Sequence, residues 1–245
     1  MKILCVSDQI DPLVYSVTAK ERFSDVDLVL CAGDLPMDYI DFIVSTLNKP
    51  TYFVFGNHNL TEFVYYHKKA VGQKGSHPHP IEQPSPFDMS HNFGAIYAGF
   101  KSLKEPAITI TDSLTNKKRP LLIAGVSGSM RYNEGLNQYT ESQMKAALLK
   151  LYPSLMLNKL RYGCYLDIFL THASPRHIHD LEDPCHKGFE CFKWFMKKFK
   201  PAYLIHGHIH LYDIQTPRVT KFEQTTVINA YSHYLLDFSG GNNNG

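Results

Sequence analysis

Short apolar runs recur along this chain and stop abruptly at Gly, Asp, Asn or His: Ile3–Val6, Leu28–Cys31, Tyr52–Phe55, Leu121–Ala124, Asp167–Leu170 and Ala202–Ile205. Runs this short, bounded by turn-forming residues, predict buried strands. Between the first three lie stretches of helical length, Pro12–Phe23 and Met37–Leu47. Pro12 suits the first turn of a helix, and Asp11 before it is a ready N-cap. Strand–helix–strand alternation predicts a parallel sheet with helices on its faces. In such sheets ligand sites gather beyond the carboxyl ends of the strands.

Further on, Thr140-Glu141-Ser142-Gln143 has the form of a capping box, and Met144, Ala147, Leu148 and Leu151 follow at helical spacing. Gly188–Lys200 predicts another amphipathic helix, with Phe189, Phe192, Phe195, Met196 and Phe199 as one apolar stripe. Its lysines (Lys193, Lys197, Lys198, Lys200) are compatible with a membrane surface. A stripe packed on a sheet beneath a solvated face is the commoner case, and lysines near a helix end suit its dipole. Residues 71–94 interleave Pro78, Pro80, Pro84 and Pro86 with His77, His79 and His91, which predicts a long loop or lid. The low-complexity tail 239–245 is expected to be disordered, leaving a single domain over residues 1–238.

Composition narrows the class without naming a chemistry. A chain of 245 residues, 44% hydrophobic and 20% charged, can bury a sizeable core in the manner of a soluble globular protein. A net charge of +2 gives no electrostatic footprint for nucleic acid or an anionic membrane. The opening apolar run Ile3–Val6 is cut short by Ser7-Asp8, too soon for a signal peptide or a membrane span. The 5 cysteines are spaced neither for zinc nor for a disulfide framework, and Cys5 and Cys31 sit inside apolar runs. A reducing, cytoplasmic compartment is the expectation.

The chemistry lies where the runs end. After Ala202–Ile205 comes Gly207-His208-Ile209-His210, and residues i and i+2 of an extended segment point the same way, so the two imidazoles are expected side by side. His206 is expected to face the other side. Ile3–Val6 leads to Ser7-Asp8, Leu28–Cys31 to Gly33-Asp34, Tyr52–Phe55 to Gly56-Asn57-His58, and Asp167–Leu170 to Thr171-His172. Each has an ordinary structural reading taken singly: Gly-Asp and Gly-Asn are common turn pairs, and Asp or Asn often caps the next helix. Their joint occurrence, in order at five successive strand ends, is harder to assign to turns alone.

That ordered set resembles the calcineurin-like metallophosphoesterase family, whose motifs run D-x-H, G-D, G-N-H, H and G-H-x-H. The resemblance extends from Asp8 to His210 and implies an α/β fold, a four-layer αββα sandwich of two mixed sheets flanked by helices, with two divalent metal ions at the strand ends. It implies that Asp34 bridges both metals, that Asp8 and His210 belong to the first, and that Asn57, His172 and His208 hold the second. Oxygen ligands mixed with imidazole suit manganese, iron or zinc. His58 is then the catalytic residue facing the scissile phosphate, and a metal-bound hydroxide attacks a phosphomonoester or phosphodiester.

The first motif departs from the pattern. It reads Asp8-Gln9-Ile10, and Ile10 has no donor atom, so the first metal position is expected to be weak, with one ion bound in place of two if it is empty. His233, or a histidine of the 77–91 stretch, is a candidate substitute. Arg131, in Gly125–Asn133, and His186, in the loop after His172, are candidate substrate-binding residues for a small phosphate ester. The alternative function is a non-catalytic binding or scaffold protein that keeps the metallophosphoesterase fold.

Overall fold

The computed structural model describes residues 1–58, 63, 66–67, 94–111, 117–213 and 215–238. The expected loop over 71–94, apart from Gly94, and the expected tail over 239–245 lie outside the described residues. The predicted core strands are present as β1 (Lys2–Ser7), β2 (Leu28–Cys31) and β3 (Thr51–Phe53), with β4 (Ile96–Tyr97) beside them. The strand β5 (Lys101–Thr111) runs into β6 (Lys118–Gly125), and a short pair β7 (Ser129–Met130) and β8 (Gln138–Tyr139) follows. After these come β9 (Ile168–Leu170), β10 (Tyr203–His206), β11 (Val219–Phe222), β12 (Thr225–Asn229) and β13 (Ser232–Asp237).

Two sheets result, one ordered β13-β1-β2-β3-β4 and the other β11-β12-β10-β9-β6-β5. The inner strands of both are parallel, while β13, β5 and β11 pair antiparallel at or near the edges. Alternation sorts the apolar residues by face. Ile3, Cys5, Leu28, Leu30, Leu121, Ile123, Ile168, Leu170 and Ile205 fill the layer between the sheets. Leu4, Val6, Val29, Cys31 and Phe53 turn outward onto the helix α2 (Met37–Leu47). Leu122, Ala124, Phe169 and Leu204 turn outward onto α3 (Glu141–Tyr162) and α4 (Glu190–Phe199). Helix, sheet, sheet and helix make the four layers.

The helices follow local chemistry closely. Thr140 and Gln143 form the capping box that opens α3, and the phenylalanine stripe of α4 is buried against the second sheet. The expected helix over Pro12–Phe23 is a correction: only α1 (Ala19–Arg22) forms. Asp11 accepts from the Leu13 N–H at 2.8 Å and starts one turn, but Ser16 Oγ bonds back to the Leu13 carbonyl at 3.0 Å. Ser16 competes for backbone groups in this way, and the β-branched Val14, Val17 and Thr18 lose side-chain freedom in a helix. Among the described residues no helix is long and apolar enough to cross a membrane.

Candidate metal centre

Every inner strand of both sheets points its carboxyl end to one side, and the site is built there from loops of both sheets. Ser7 ends β1, and Asp8 follows in the left-handed region at φ 63°; Asp34, after β2, sits at φ 53° and His208, after β10, at φ 68°. Non-glycine residues rarely adopt this backbone, and its cost marks places that the surrounding structure over-determines. Two glycines make the close approach possible. A Cβ on Gly56 would overlap Asp34 Oδ1 and come 2.7 Å from His172 Cε1, and one on Gly207 would overlap Ser7 Oγ and Asp8 Oδ2.

Asp34, His172 and His208 place one ligand atom each within 4.8 Å of one another. His172 is fully buried, and its Nδ1–H donates to the Ala32 carbonyl at 2.9 Å. That bond aims Nε2 at Asn57 Oδ1, 3.1 Å away, and at Asp34 Oδ2, 3.2 Å away. His208 Nε2 lies 2.8 Å from the Cys185 carbonyl, which can only accept, so Nδ1 keeps the lone pair. A bond from the other ring nitrogen to a backbone carbonyl is the usual way a protein fixes the tautomer of a metal-binding histidine.

The charges agree with that geometry. Burial alone would lower His172, but the Asp34 carboxylate, through charge and hydrogen bond, raises it to about 9. Burial would raise Asp34, yet His172 and the His58 N–H hold its carboxyl below the usual range. Burial and the neighbouring His172 charge press His208 down to about 3. One Asp34 carboxylate oxygen and an imidazole nitrogen from each of His172 and His208 thus converge on one point, with Asn57 Oδ1 beside it. The donor set fits a divalent cation.

Asp8 and His210 lie outside this cluster. The Asp8 carboxylate takes the His208 N–H on both oxygens, and burial pushes its carboxyl up against the pull of His172. His210 Nε2 stands 4.0 Å from Asp8 Oδ1, its ring lies on Tyr231 with centroids 4.9 Å apart, and its Nδ1 meets the Tyr212 hydroxyl at 2.8 Å. The expected extended GHIH segment is a correction. The chain turns at His208, Ile209 N–H reaches the Gly207 carbonyl at 2.8 Å, and one imidazole is buried while the other is exposed. His206 faces away, as expected, and pairs with His179 at 2.9 Å.

A cavity of about 240 Å³ opens over the cluster, lined by Asp8, Asp34, Asn57, His58, Tyr132, Cys185, His186, His208 and His210. His58 is exposed on its wall, and its backbone N–H donates to Asp34 Oδ1 at 2.9 Å. His186 lies beside His208, ring centroids 5.4 Å apart, with Nδ1 on both oxygens of Asp183 at 2.9 and 3.0 Å. Arg131 is not among the lining residues: it is exposed, and its guanidinium donates to the Gln138 carbonyl at 3.4 Å. Ile10 is 44% exposed, and His233 is committed to Asp11 at 2.6 Å, so His233 does not stand in for the missing ligand. His77, His79 and His91 lie outside the described residues.

Sequence reading placed Asp183 with His186 in the loop that borders the site, but gave no role to Tyr132 or Cys185. Tyr132 adjoins Arg131, and only the direction of the loop decides which of the two faces the cavity.

A two-sheet α/β sandwich with histidines and carboxylates gathered at the strand ends defines a metallohydrolase-type centre. The sequence matches the calcineurin-like phosphoesterase family over residues 1–212, and the chain belongs to that family, whose members are metal-dependent hydrolases of phosphoester bonds. Among solved structures it is similar to TT1561 of Thermus thermophilus, at 14% identity and a TM-score of 0.58, covering 94% of this chain and 89% of that one. A second crystal structure matches at 11% identity and a TM-score of 0.58, covering 96% of this chain and 94% of that one. These likenesses bear on the fold alone. No curated protein matches the chain.

Proposed function

We propose that this protein hydrolyses a small phosphate monoester or diester, with Asp34, Asn57, His172 and His208 holding one divalent metal and Asp8, Asp34 and His210 a second, weaker position. The observation that carries the reading is the convergence of Asp34, His172 and His208 on one point beneath an open cavity. Manganese, iron or zinc suits the mixed oxygen and imidazole donors. Such ions, when bound, polarise phosphoryl oxygens and acidify a water. His58 offers its ring to the scissile phosphate or the leaving group. His186, oriented by Asp183, faces the same space and serves the phosphate from the opposite loop. A cavity of about 240 Å³ favours a small ester, since pockets for drug-sized ligands run to roughly 300–1,000 Å³. None of the cysteines is joined in a disulfide, which is in keeping with a reducing compartment, the cytoplasm.

A non-catalytic scaffold is the second reading, favoured by Ile10 and by the lean of His210 onto Tyr212 and Tyr231. Elemental analysis of protein purified without chelator, followed by hydrolysis of aryl phosphate mono- and diesters with added manganese, separates the two. Asp34→Asn and His58→Gln are expected to abolish turnover with the fold intact. Wild-type turnover in either variant sinks the site assignment, and no turnover by the parent with any metal favours the scaffold.

A further inference from the structure

Asn57 is buried, and its carboxamide is divided between two neighbours: Oδ1 lies 3.1 Å from His172 Nε2, and Nδ2 donates to the Tyr132 hydroxyl at 3.2 Å. Only Oδ1 has lone pairs for a metal, since Nδ2 carries two hydrogens. A metal on Oδ1 therefore requires an acceptor for Nδ2, and Tyr132 is that acceptor. Among the described residues the phenol has this one hydrogen-bond partner, so accepting from Asn57 leaves its own hydrogen uncommitted at the cavity wall.

The phenol is carried on a segment tied to the Asn57 loop. The Tyr132 N–H donates to Gln138 Oε1 at 3.2 Å, and Gln138 Nε2 donates to Asn133 Oδ1 at 2.7 Å. Asn137 Nδ2 reaches the Gly56 carbonyl at 2.7 Å, and Gly128 N–H the Phe55 carbonyl at 2.8 Å. Gln138 and Asn137 are both buried, so the distance between Tyr132 and Asn57 is set by the fold rather than by a free side chain.

We infer that Tyr132 is a positioning residue of the metal centre, which holds the Asn57 carboxamide with Oδ1 toward the metal and gives its own hydroxyl hydrogen to an oxygen of the bound phosphate. The inference rests on the proposed role of Asn57 as a ligand. Y132F keeps the ring and removes the acceptor and the donor together. Manganese is titrated into metal-free wild type, Y132F and Asn57→Ala, with free manganese counted by electron paramagnetic resonance. Inorganic phosphate is then titrated calorimetrically into the manganese-saturated wild type and Y132F. Y132F, folded by circular dichroism, is expected to bind manganese about tenfold and phosphate about fivefold more weakly. Wild-type affinity for both in Y132F, with manganese lost in Asn57→Ala, overturns the inference and leaves the metal reading standing. Equal manganese affinity in wild type and Asn57→Ala overturns both.

Discussion

The backbone N–H of His208 donates to both carboxylate oxygens of Asp8, at 3.0 and 2.9 Å, across 200 residues of chain. The bond joins the loop after β10 to the loop after β1, one from each sheet. Both residues hold left-handed backbone, which for non-glycine residues costs of order 1–3 kcal/mol each and persists only where packing insists on it. The bond exists only once the two sheets have met. Asp8 and His208 are therefore placed together, and the loops that carry them share one support.

On the proposed reading, a donor at position 10 should strengthen the weaker metal position. Ile10 is partly exposed and lies two residues beyond Asp8, so Ile10→His adds an imidazole without emptying a core site. The manganese concentration for half-maximal aryl phosphate hydrolysis is expected to fall about tenfold, with more metal bound per chain by elemental analysis. An unchanged manganese dependence would show that position 10 does not face the site.

The glycine approaches admit no side chain. In Gly56→Ala the added methyl meets Asp34 Oδ1 and the His172 ring, and neither can retreat without leaving the cluster. Stability by urea denaturation is expected to fall by about 2 kcal/mol, as overpacking does, and manganese binding should weaken with it. A variant as stable as its parent, with the same affinity, contradicts the packing described.

The His179–His206 pair makes stability depend on acid. Burial, then the neighbouring His179, keeps His206 far below its ordinary value, and burial pulls His179 down to about 4. In the unfolded chain both return to about 6.5, so below that pH the unfolded state takes up protons that the folded state refuses. The contribution is fully present above about pH 6.5 and is lost as the pH falls toward about 4. The urea midpoint is expected to drop across this window, less steeply in His179→Gln. The same slope in both proteins would remove the pair as its cause.

The buried ion pair of Arg119 and Asp167 lies at the opposite ends of the strands from the site. The guanidinium reaches both carboxylate oxygens, at 2.6 and 2.8 Å, and the Leu122 N–H adds a third bond at 2.9 Å. Arg119→Met strands a buried carboxylate and is expected to cost about 3 kcal/mol, read by urea denaturation. Activity per folded molecule should stay at the parent value; a selective loss of activity would tie this end of the sheet to the site.

The periodicity of apolar residues located β1, β2, β9 and β10 and the helices α2, α3 and α4, because each is written in neighbouring residues. The strand β11, where exposed and half-buried residues alternate, and the long β5, with Pro106 inside a register shift, carry no such signal. Their pairing comes from the strands beside them. The helix α1 is shorter than its sequence suggests because Ser16 and Asp11 bond locally ahead of it.

At the site, the donor types and their order along the chain were legible at the strand ends, where parallel sheets gather ligands. What they do to one another was not. The left-handed turn at His208 buries one imidazole of GHIH and leaves the other on Tyr231, and the course of the loop after β7 turns Tyr132, not Arg131, to the cavity. The sequence by itself determined which atoms could bind metal. Only the packing of two sheets decided which of them meet, because the bonds that aim them, Ala32 to His172 and Asp8 to His208, join residues far apart in the chain.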